Sequence, residues 1–312
     1  MAMNTGTPAP REELFDGPED PRGYEATVSI PRPLGNVSRE TSLPKPAETR
    51  IFVIANQKGG VGKTTTAVNL AAALGFGGLD VLLIDIDPQG NASTALGVEH
   101  RQGIRGTYEV LMDEDAMEWH VVRSQEAPGL TVLPATIDLA GAELELVTVA
   151  GRERRLVDAL EAYLENHAVD YVLIDCPPSL GLLTLNALVT ATEVLLPIQC
   201  EYYALEGVSQ LTNTIARVQQ QLNERLTLTT VLLTMYDPRT KLANQVADEV
   251  RTFFPQQTLE TVIPRSVRVA EAPSYGQTVM TYHAGSAGAL AYGAAAVEIA
   301  ERGAAKRSRR AA

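Results

Sequence analysis

The chain has 312 residues, of which 45% are hydrophobic and 5% aromatic, and 26 Lys and Arg stand against 38 Asp and Glu for a formal net charge of −12. This length and apolar fraction exclude a fully disordered, collagen-like or disulfide-stapled chain and allow one large domain or two small ones. The acidic balance argues against a basic coat for nucleic acid but leaves room for a local basic patch. Two cysteines in so long a chain predict a reducing, cytoplasmic compartment. Because no run of about 18 apolar residues occurs, we expect no transmembrane segment.

The first 48 residues differ from the rest of the chain. They contain 8 of the 18 prolines and show no apolar periodicity. Proline removes backbone amide donors, so we expect residues 1–48 to form a disordered, proline-rich extension. Its composition favours a solvated tail over a docking segment for a partner. The folded domain is expected at 49–303, followed by a basic flexible tail at 304–312.

After this extension, short runs rich in Val, Ile and Leu alternate with segments of helical periodicity. The predicted strands are 51–55, 81–85, a weaker one at 131–133, 171–175, 194–198, 228–234 and 258–263. The predicted helices are 63–74, 151–165, 182–190, 204–223, 241–254 and 286–302, and the last residues, KRSRRAA at 306–312, are expected to be frayed. Uniformly apolar strands are buried on both faces. Their alternation with helices predicts one α/β domain with a mainly parallel, twisted sheet flanked by helices.

The strongest motif is NQKGGVGKTTT at 56–66, between the first predicted strand and the first predicted helix. Glycines let backbone amides approach a phosphate closely, and the helix N-terminus adds positive potential. Lys63 is then placed to contact the β- and γ-phosphates and the Thr64 hydroxyl to ligate Mg²⁺. The usual pattern G-x-x-x-x-G-K-[ST] requires glycine where this chain has Gln57, and a further lysine, Lys58, stands five residues before Lys63. The motif predicts a nucleotide-binding loop rather than a plain glycine turn.

The segment KGGVGKTT at 58–65 resembles the deviant Walker A loop of the ParA/MinD ATPases, and the chain from about residue 50 to 301 is similar to their ParA/Soj chromosome-partitioning branch. The resemblance implies a P-loop NTPase fold, ATP and Mg²⁺ as cofactors, and hydrolysis to ADP and phosphate. It also implies an ATP-dependent homodimer in which Lys58 reaches the partner's phosphates across the sandwiched nucleotides. The residues expected to hold the nucleotide are Lys58, Gly59, Gly60, Val61, Gly62, Lys63, Thr64, Thr65, Pro264 and Arg265.

Two of the predicted strands end in aspartates. Asp85 and Asp87 face the same way at the end of strand 81–85, and the carboxyl edge of an open α/β sheet is where ligands bind. Asp175 ends strand 171–175 in the Walker B pattern, in which the carboxylate holds Mg²⁺. The resemblance implies that Asp87 positions or activates the attacking water. The predicted catalytic residues are Lys58, Lys63 and Asp87, and the predicted metal site comprises Thr64, Asp85 and Asp175.

Three arginines match positions that contact the DNA backbone in the ParA/Soj branch: Arg239, Arg265 and Arg268. The stretch around Pro264 lies near the adenine in relatives, so Arg265 serves either DNA or the nucleotide. Solvated or salt-bridged surface arginines are an equally good interpretation of each one alone. No base-reading motif accompanies them, which predicts phosphate contacts that are insensitive to base sequence. The five basic residues after Glu301 either add affinity or merely solubilise the chain end.

Three functions are consistent with these motifs. In the favoured one, an ATP-bound dimer binds double-stranded DNA nonspecifically at the nucleoid, and a ParB-type centromere-binding protein stimulates hydrolysis and release. A MinD-like membrane ATPase is disfavoured because residues 286–312 are mainly Ala and Gly rather than the bulky apolar residues of a membrane anchor. A positioning scaffold for another cargo would carry the same ATPase module, so the sequence does not separate it from the first.

Overall fold

The computed structural model describes residues 42–101, 103–202 and 206–310. Most of the predicted extension, residues 1–41, and the last two residues of the predicted tail lie outside this part of the chain. Residues that immediately precede the predicted domain boundary lie against the domain. The Leu43 amide donates to the carbonyl oxygen of Gly77 at 2.8 Å, and Lys45 forms an ion pair with Asp170 at 2.9 Å.

The described residues form one sheet of eight strands. The strands are β1 (Arg50–Ile54), β2 (Val81–Asp85), β3 (Val122–Arg123), β4 (Leu130–Leu133), β5 (Tyr171–Asp175), β6 (Glu193–Gln199), β7 (Thr227–Tyr236) and β8 (Thr258–Pro264). Their order across the sheet is β3-β4-β2-β5-β1-β6-β7-β8. All neighbours are parallel except β3 and β4, which are antiparallel. The parallel strands direct their carboxyl ends to one edge, which is where the predicted site residues follow them.

Helices cover both faces of the sheet. They are α1 (Lys63–Phe76), α2 (Asn91–Ala95), α3 (Thr107–Met112), α4 (Leu139–Glu145), α5 (Arg155–Asn166), α6 (Leu182–Thr190), α7 (Glu206–Gln221), α8 (Lys241–Phe253), α9 (Val267–Glu271), α10 (Val279–Tyr282) and α11 (Ala287–Arg310). Among the described helices, none is both long and apolar enough to cross a bilayer.

Alternation along each strand divides the core into two layers. In β1, Phe52 and Ile54 belong to the cluster formed with α1, α10 and α11, whereas Val53 belongs to the cluster formed with α3 to α8. Successive side chains of a strand point to opposite faces, so a strand with helices on both sides must be apolar throughout. Burial of these side chains from water supplies the main driving force for assembling the layers. The predicted class of a mainly parallel α/β sheet flanked by helices is confirmed.

The structure adds short elements and extends the last helix. The sequence pattern did not predict β3, α2, α3, α4, α9 or α10, because two to seven residues are too few to display a period. The predicted closing helix 286–302 is too short, and the prediction of a frayed end is wrong up to Arg310, since α11 continues to that residue. Arg302 anchors this helix by donating to the carbonyl oxygens of Gln257 and Thr258 and to Glu298 four residues earlier.

Candidate functional site

The phosphate loop and the two acidic strand ends lie side by side at the carboxyl edge of the sheet. Strand β5 lies between β1, which leads into the loop, and β2. Asp175 at the end of β5 is in register with Asp85 of β2 and with Ile54 of β1. The three segments that sequence reasoning assigned to one site therefore meet in the fold, although more than a hundred residues separate the loop from Asp175.

The phosphate loop adopts a conformation that requires glycine at two positions. Gly60 and Gly62 have φ values of 74° and 87°, in the left-handed region that side-chain-bearing residues avoid. A Cβ atom on Gly59 or Gly60 would meet no atom within 4 Å, so the backbone on this side borders open space. Gly62 precedes α1 and its carbonyl accepts the first helical bond, from Thr66 N at 2.8 Å. The loop thus leaves a cradle beside a helix N-terminus, the arrangement that binds phosphate.

Three side-chain hydrogen bonds hold the loop in place. Asn56 Nδ2 donates to the Pro197 carbonyl at 2.8 Å, and Asn56 Oδ1 accepts from Lys58 N at 3.0 Å. On the other side, Thr234 Oγ1 donates to the Val61 carbonyl at 2.9 Å. These bonds tie the loop to β6 and β7, so its shape is set by the sheet.

Lys63 is the buried cation of the site. It starts α1, and its Nζ lies 3.4 Å from the Lys58 carbonyl oxygen, to which it donates. Burial lowers the pKa of Lys63, and the nearby negative charges of Asp175 and Asp87 oppose that effect. Thr64 and Thr65 follow half-buried in the first turn of α1. An ammonium group that has given up most of its water is placed to gain strongly from an added anion.

Asp85 is a buried carboxylate whose hydrogen bonds are satisfied. It accepts from Ser93 Oγ at 2.7 Å, Ser93 N at 2.8 Å and Asp87 N at 3.2 Å. Burial raises the pKa of Asp85 to about 6, although the Ser93 donors act in the opposite direction. Its oxygens are committed to organising the turn after β2, so its contribution to a metal site is more indirect than that of Asp175.

Asp175 is equally buried, yet neither of its carboxylate oxygens accepts a hydrogen bond within the part of the chain that the structure describes. Burial and the charge of Asp85 raise the pKa of Asp175 well above its usual range, against the opposing effects of Thr64 and Lys63. An unsatisfied buried carboxylate is costly without a cation or a donor. Oxygen ligands suit Mg²⁺, and the half-buried Thr64 hydroxyl lies next to this group. These residues therefore fit a magnesium ion.

Thr64 and Asp175 supply only part of the ligands that a magnesium ion needs. No group of three His, Cys, Asp or Glu side chains arranged as a closed metal cage occurs among residues 42–101, 103–202 and 206–310. Mg²⁺ usually keeps several waters and binds through one or two protein oxygens together with substrate phosphates. The donor set of Thr64 and Asp175 beside the glycine cradle corresponds to that second arrangement.

Asp87 and Lys58 flank the cradle. Asp87 is largely buried, and its Oδ1 accepts from Gln89 N at 3.0 Å, so its carboxylate is held at the end of the turn after β2. Lys58 is more open: its Nζ lies 3.9 Å from Glu201 in the segment after β6, and its side chain is 35% exposed. This exposure leaves the Lys58 ammonium accessible to other molecules.

We call Arg239, Arg265 and Arg268 the arginine surface. Arg239 and Arg265 follow the ends of the neighbouring strands β7 and β8, and both interact with Asp237. Arg239 makes a two-point ion pair with Asp237 at 2.8 and 2.9 Å, which lowers the pKa of that carboxyl to about 2. Arg268 in α9 pairs with Glu271 at 3.0 Å. The fold therefore presents these cations together with acidic neighbours.

Several residues that support the site were not found by sequence reasoning. Ser93 holds Asp85 from eight positions away, Thr234 holds the loop from a distant strand, and Glu201 pairs with Lys58. Asn56 carried a usable signal, because Asn favours a turn in which its side chain bonds the amide two residues on. The other three contacts depend on tertiary proximity and leave no local pattern.

A glycine cradle at a helix N-terminus, a buried lysine and an acidic strand end define a P-loop nucleotide-binding protein. A family model described as an AAA domain matches residues 49–228. The sporulation initiation inhibitor protein Soj of Bacillus subtilis is 52% identical over 254 residues, which cover 81% of this chain and 99% of that protein. The chromosome partitioning protein ParA of Caulobacter vibrioides is 53% identical over 253 residues, 81% of this chain and 94% of that protein. The chain belongs to the ParA/Soj family of chromosome-partitioning ATPases.

Solved structures agree with the fold. A structure named cobyrinic acid a,c-diamide synthase, from Mycobacterium smegmatis, has bound ADP and magnesium, and superposes with a TM-score of 0.69 at 41% identity, covering 80% of this chain and 93% of that chain. The septum site-determining protein MinD of Pyrococcus horikoshii, complexed with Mg-ADP, superposes with a TM-score of 0.64 at 26% identity, covering 82% of this chain and 96% of that chain. The predicted fold of a deviant Walker A P-loop ATPase is confirmed.

Proposed function

We propose that this protein is an ATP-dependent DNA-partitioning ATPase. Its ATP-bound homodimer binds double-stranded DNA without sequence preference and is released after hydrolysis that a ParB-type centromere-binding protein stimulates. The observation that carries the proposal is the Asp175 carboxylate, buried without a donor from the described residues beside an open glycine cradle and Lys63. About 50% identity to partitioning proteins supports the cellular role.

ATP and Mg²⁺ are the proposed cofactors. The amides of the loop from Lys58 to Thr65 and the Lys63 ammonium would hold the phosphates, and Pro264 and Arg265 would lie near the base. Thr64 and Asp175 would hold Mg²⁺, with Asp85 supporting them through the turn that it organises. Bound Mg²⁺ neutralises charge on the transferring phosphoryl group. Solved relatives that contain ADP and magnesium support this assignment.

The chain's own residues then act by position and charge. Lys63, whose pKa burial lowers, remains an effective cation because a polyphosphate would restore the charged form. The Asp87 carboxylate is held by the Gln89 amide and lies close enough to Lys63 to affect its pKa, and from there it would orient the attacking water. Phosphoryl transfer needs little covalent help from the protein, so alignment of water and phosphate is the main contribution.

Dimerisation is proposed to use Lys58. Its neighbour Glu201 lies 3.9 Å away, a separation at which exposed charges interact weakly. A second cation beside the phosphates is therefore free to reach a nucleotide held by another subunit. Two copies of the chain would also double the arginine surface, which explains how a chain of net charge −12 can hold a polyanion.

DNA is proposed to contact Arg239, Arg265 and Arg268 through its phosphates. Arg239 and Arg268 have acidic neighbours in this structure, so DNA must compete with Asp237 and Glu271. Exposed ion pairs are weak and screened by salt, so competition by a dense line of phosphates is feasible. Location at the nucleoid in the cytoplasm follows from this role. Residues 1–48 and 304–312 are proposed as the two tails of an ATPase domain at 49–303.

The membrane alternative finds no support in the described part of α11. Its larger side chains Tyr292 and Ile299 are buried in the core against α1 and the sheet, and Leu290, 37% exposed, is a single leucine rather than the broad apolar face of a membrane anchor. Positioning of another cargo would use the same nucleotide cycle, and partner identification separates it from DNA partition.

The test measures binding to duplex DNA of unrelated sequence with ATP, with ADP and without nucleotide, using Asp87→Ala protein to suppress turnover. Binding only with ATP, weakening steeply as salt rises, supports partition through backbone contacts. Absence of DNA binding in every state, with ATP still bound, contradicts the proposal and directs the next assay to anionic liposomes and protein partners.

A further inference from the structure

Strand β7 joins the phosphate loop to the arginine surface by a short continuous stretch of chain. At its carboxyl end, the buried Thr234 hydroxyl donates to the Val61 carbonyl of the loop at 2.9 Å. Five residues later the chain reaches Arg239. If Val61 moves, the hydrogen bond to Thr234 transmits the movement to the chain that leads to Arg239.

The residue after Thr234 has an unusual backbone. Met235 has a φ of 51°, in the left-handed region, and Glu114 is the one other non-glycine residue with positive φ among those the structure describes. Bulky side chains rarely adopt this conformation, and such outliers concentrate at functional sites. The pairing of β7 with β8 also departs from its regular register between Leu233 and Tyr236. Irregularities of this kind change the direction of the chain that follows.

The residues just beyond Met235 contact both strand-end arginines, Arg239 and Arg265. Tyr236 pairs with Pro264, and its carbonyl accepts from Arg265 N at 3.1 Å. The next residue, Asp237, holds Arg239 and interacts with Arg265. A rotation of the backbone at Met235 would thus move both arginines and the acid that restrains them as one unit.

Thr234 also contacts the segment that carries the ion-pair neighbour of Lys58. Its carbonyl accepts from Cys200 N at 3.1 Å, and the residue after Cys200 is Glu201, which pairs with Lys58. Thr234 is therefore hydrogen-bonded to the phosphate loop by its side chain, and to the segment that follows β6 by its backbone carbonyl. The position of Arg239 can depend on the loop in this way without Arg239 itself touching the nucleotide.

We propose that Thr234 and Met235 are positioning residues that couple the state of the phosphate loop to the arginine surface. The Thr234 hydroxyl follows the Val61 carbonyl, and the left-handed backbone at Met235 turns that shift into a new direction for residues 236–239. The coupling rests on the proposed function, because it describes how nucleotide controls DNA binding.

The first test compares Thr234→Val with Thr234→Ser. Valine keeps the shape of threonine but leaves the Val61 carbonyl without its donor, whereas serine keeps the hydroxyl. We measure the affinity for nonspecific duplex DNA with a non-hydrolysable ATP analogue and with ADP, and confirm nucleotide binding in the same samples. The ratio of the two affinities should fall at least about fivefold for Thr234→Val and stay near wild type for Thr234→Ser. A wild-type ratio in Thr234→Val would overturn the role of its hydroxyl.

A second pair of variants probes the backbone. Asparagine tolerates the left-handed region, so Met235→Asn should keep the wild-type ratio, whereas Met235→Gly frees the backbone and should lower it. Equal ratios for these two variants would overturn the role of the Met235 backbone. This pair also carries the test if Thr234→Val unfolds below the assay temperature.

A third measurement does not depend on DNA. Amide hydrogen exchange across residues 235–240 and at 265 should change when the ATP analogue binds wild-type protein, and this response should disappear in Thr234→Val. A bound analogue without any such change, or an unaltered response in Thr234→Val, overturns the coupling. If wild-type protein shows this exchange response to the ATP analogue but does not bind DNA, the proposed function is refuted while the coupling is supported.

Discussion

Asp85 and Asp175 are opposite each other in the register of β2 and β5, yet among the described residues only Asp85 finds hydrogen-bond donors. Both carboxylates are fully buried, and burial raises the pKa of each. The Ser93 amide and hydroxyl compensate Asp85, whereas Thr64 and Lys63 lower the pKa of Asp175 without a donor among the described residues within hydrogen-bond distance of its oxygens. In the free protein Asp175 is therefore an electrostatic cost that a bound cation would remove.

Replacement of Asp175 by Asn should stabilise the free protein and abolish its stabilisation by magnesium with nucleotide. Removing an unsatisfied buried charge should raise the free energy of unfolding by about 1–3 kcal/mol at neutral pH. Thermal unfolding with and without Mg-ADP measures both effects. Asp85→Asn is the matched control: it takes an acceptor from Ser93 and should destabilise the protein. A melting temperature below wild type for Asp175→Asn would contradict the assignment.

Replacement of Lys63 by Ala should weaken ATP binding by about 1.5–3 kcal/mol, or roughly tenfold to 150-fold, because the ammonium that would hold the phosphates by charge-assisted hydrogen bonds is removed. Titration with a fluorescent ATP analogue measures the dissociation constant. Lys45→Ala removes another lysine, which pairs with Asp170 on the surface, and should leave the constant unchanged. Unaltered affinity in Lys63→Ala would refute the assignment of the phosphate loop.

Asp87→Ala should bind ATP but hydrolyse it about 10²–10⁴-fold more slowly, because the attacking water no longer has its orienting carboxylate. The protein should accumulate as an ATP-bound dimer. Phosphate release under saturating ATP gives the rate, and Asp80→Ala, at the opposite end of β2, serves as the control. Normal turnover in Asp87→Ala would remove its catalytic role.

Lys58→Ala should retain ATP binding and fail to form the ATP-dependent dimer, which light scattering after size-exclusion chromatography detects. The matched control is Glu201→Gln, which removes the ion-pair neighbour within the same subunit. If Lys58 acts across the dimer, Glu201→Gln should still dimerise. A dimer of Lys58→Ala with ATP, or an equal defect in both variants, would argue against the trans role.

Arg265→Glu should dimerise with ATP without retaining DNA, because a cation of the arginine surface becomes an anion. Arg225→Glu makes the same charge change on an exposed residue just before β7, at the opposite edge of the sheet, and should retain DNA. The slope of log affinity against log salt should become shallower by about 1 for each DNA phosphate that the variant no longer binds. DNA retention equal to that of the control would place the DNA-binding surface elsewhere.

Most regular elements could be predicted because their signals are local. The strands at 81–85 and 171–175 and the helix at 182–190 have the bounds that the apolar runs indicated. The short helices α2, α9 and α10 could not be predicted, since four or five residues show no period and depend on tertiary contacts. The Thr278 amide just before α10, for example, donates to the buried Glu126 carboxylate, 152 residues away in sequence.

The local pattern of residues sets the class of ligand, because the phosphate loop is one contiguous segment whose glycines, lysine and threonine act together. It also determined that three aspartates lie at or just beyond the ends of apolar strands. Packing between distant segments gives Asp85 its Ser93 donors, leaves Asp175 without a hydrogen bond from the described residues, and brings the Thr234 hydroxyl to Val61, 173 residues away. Hydrogen bonds and burial of this kind arise only when distant segments pack together, so they leave no pattern in the neighbouring residues.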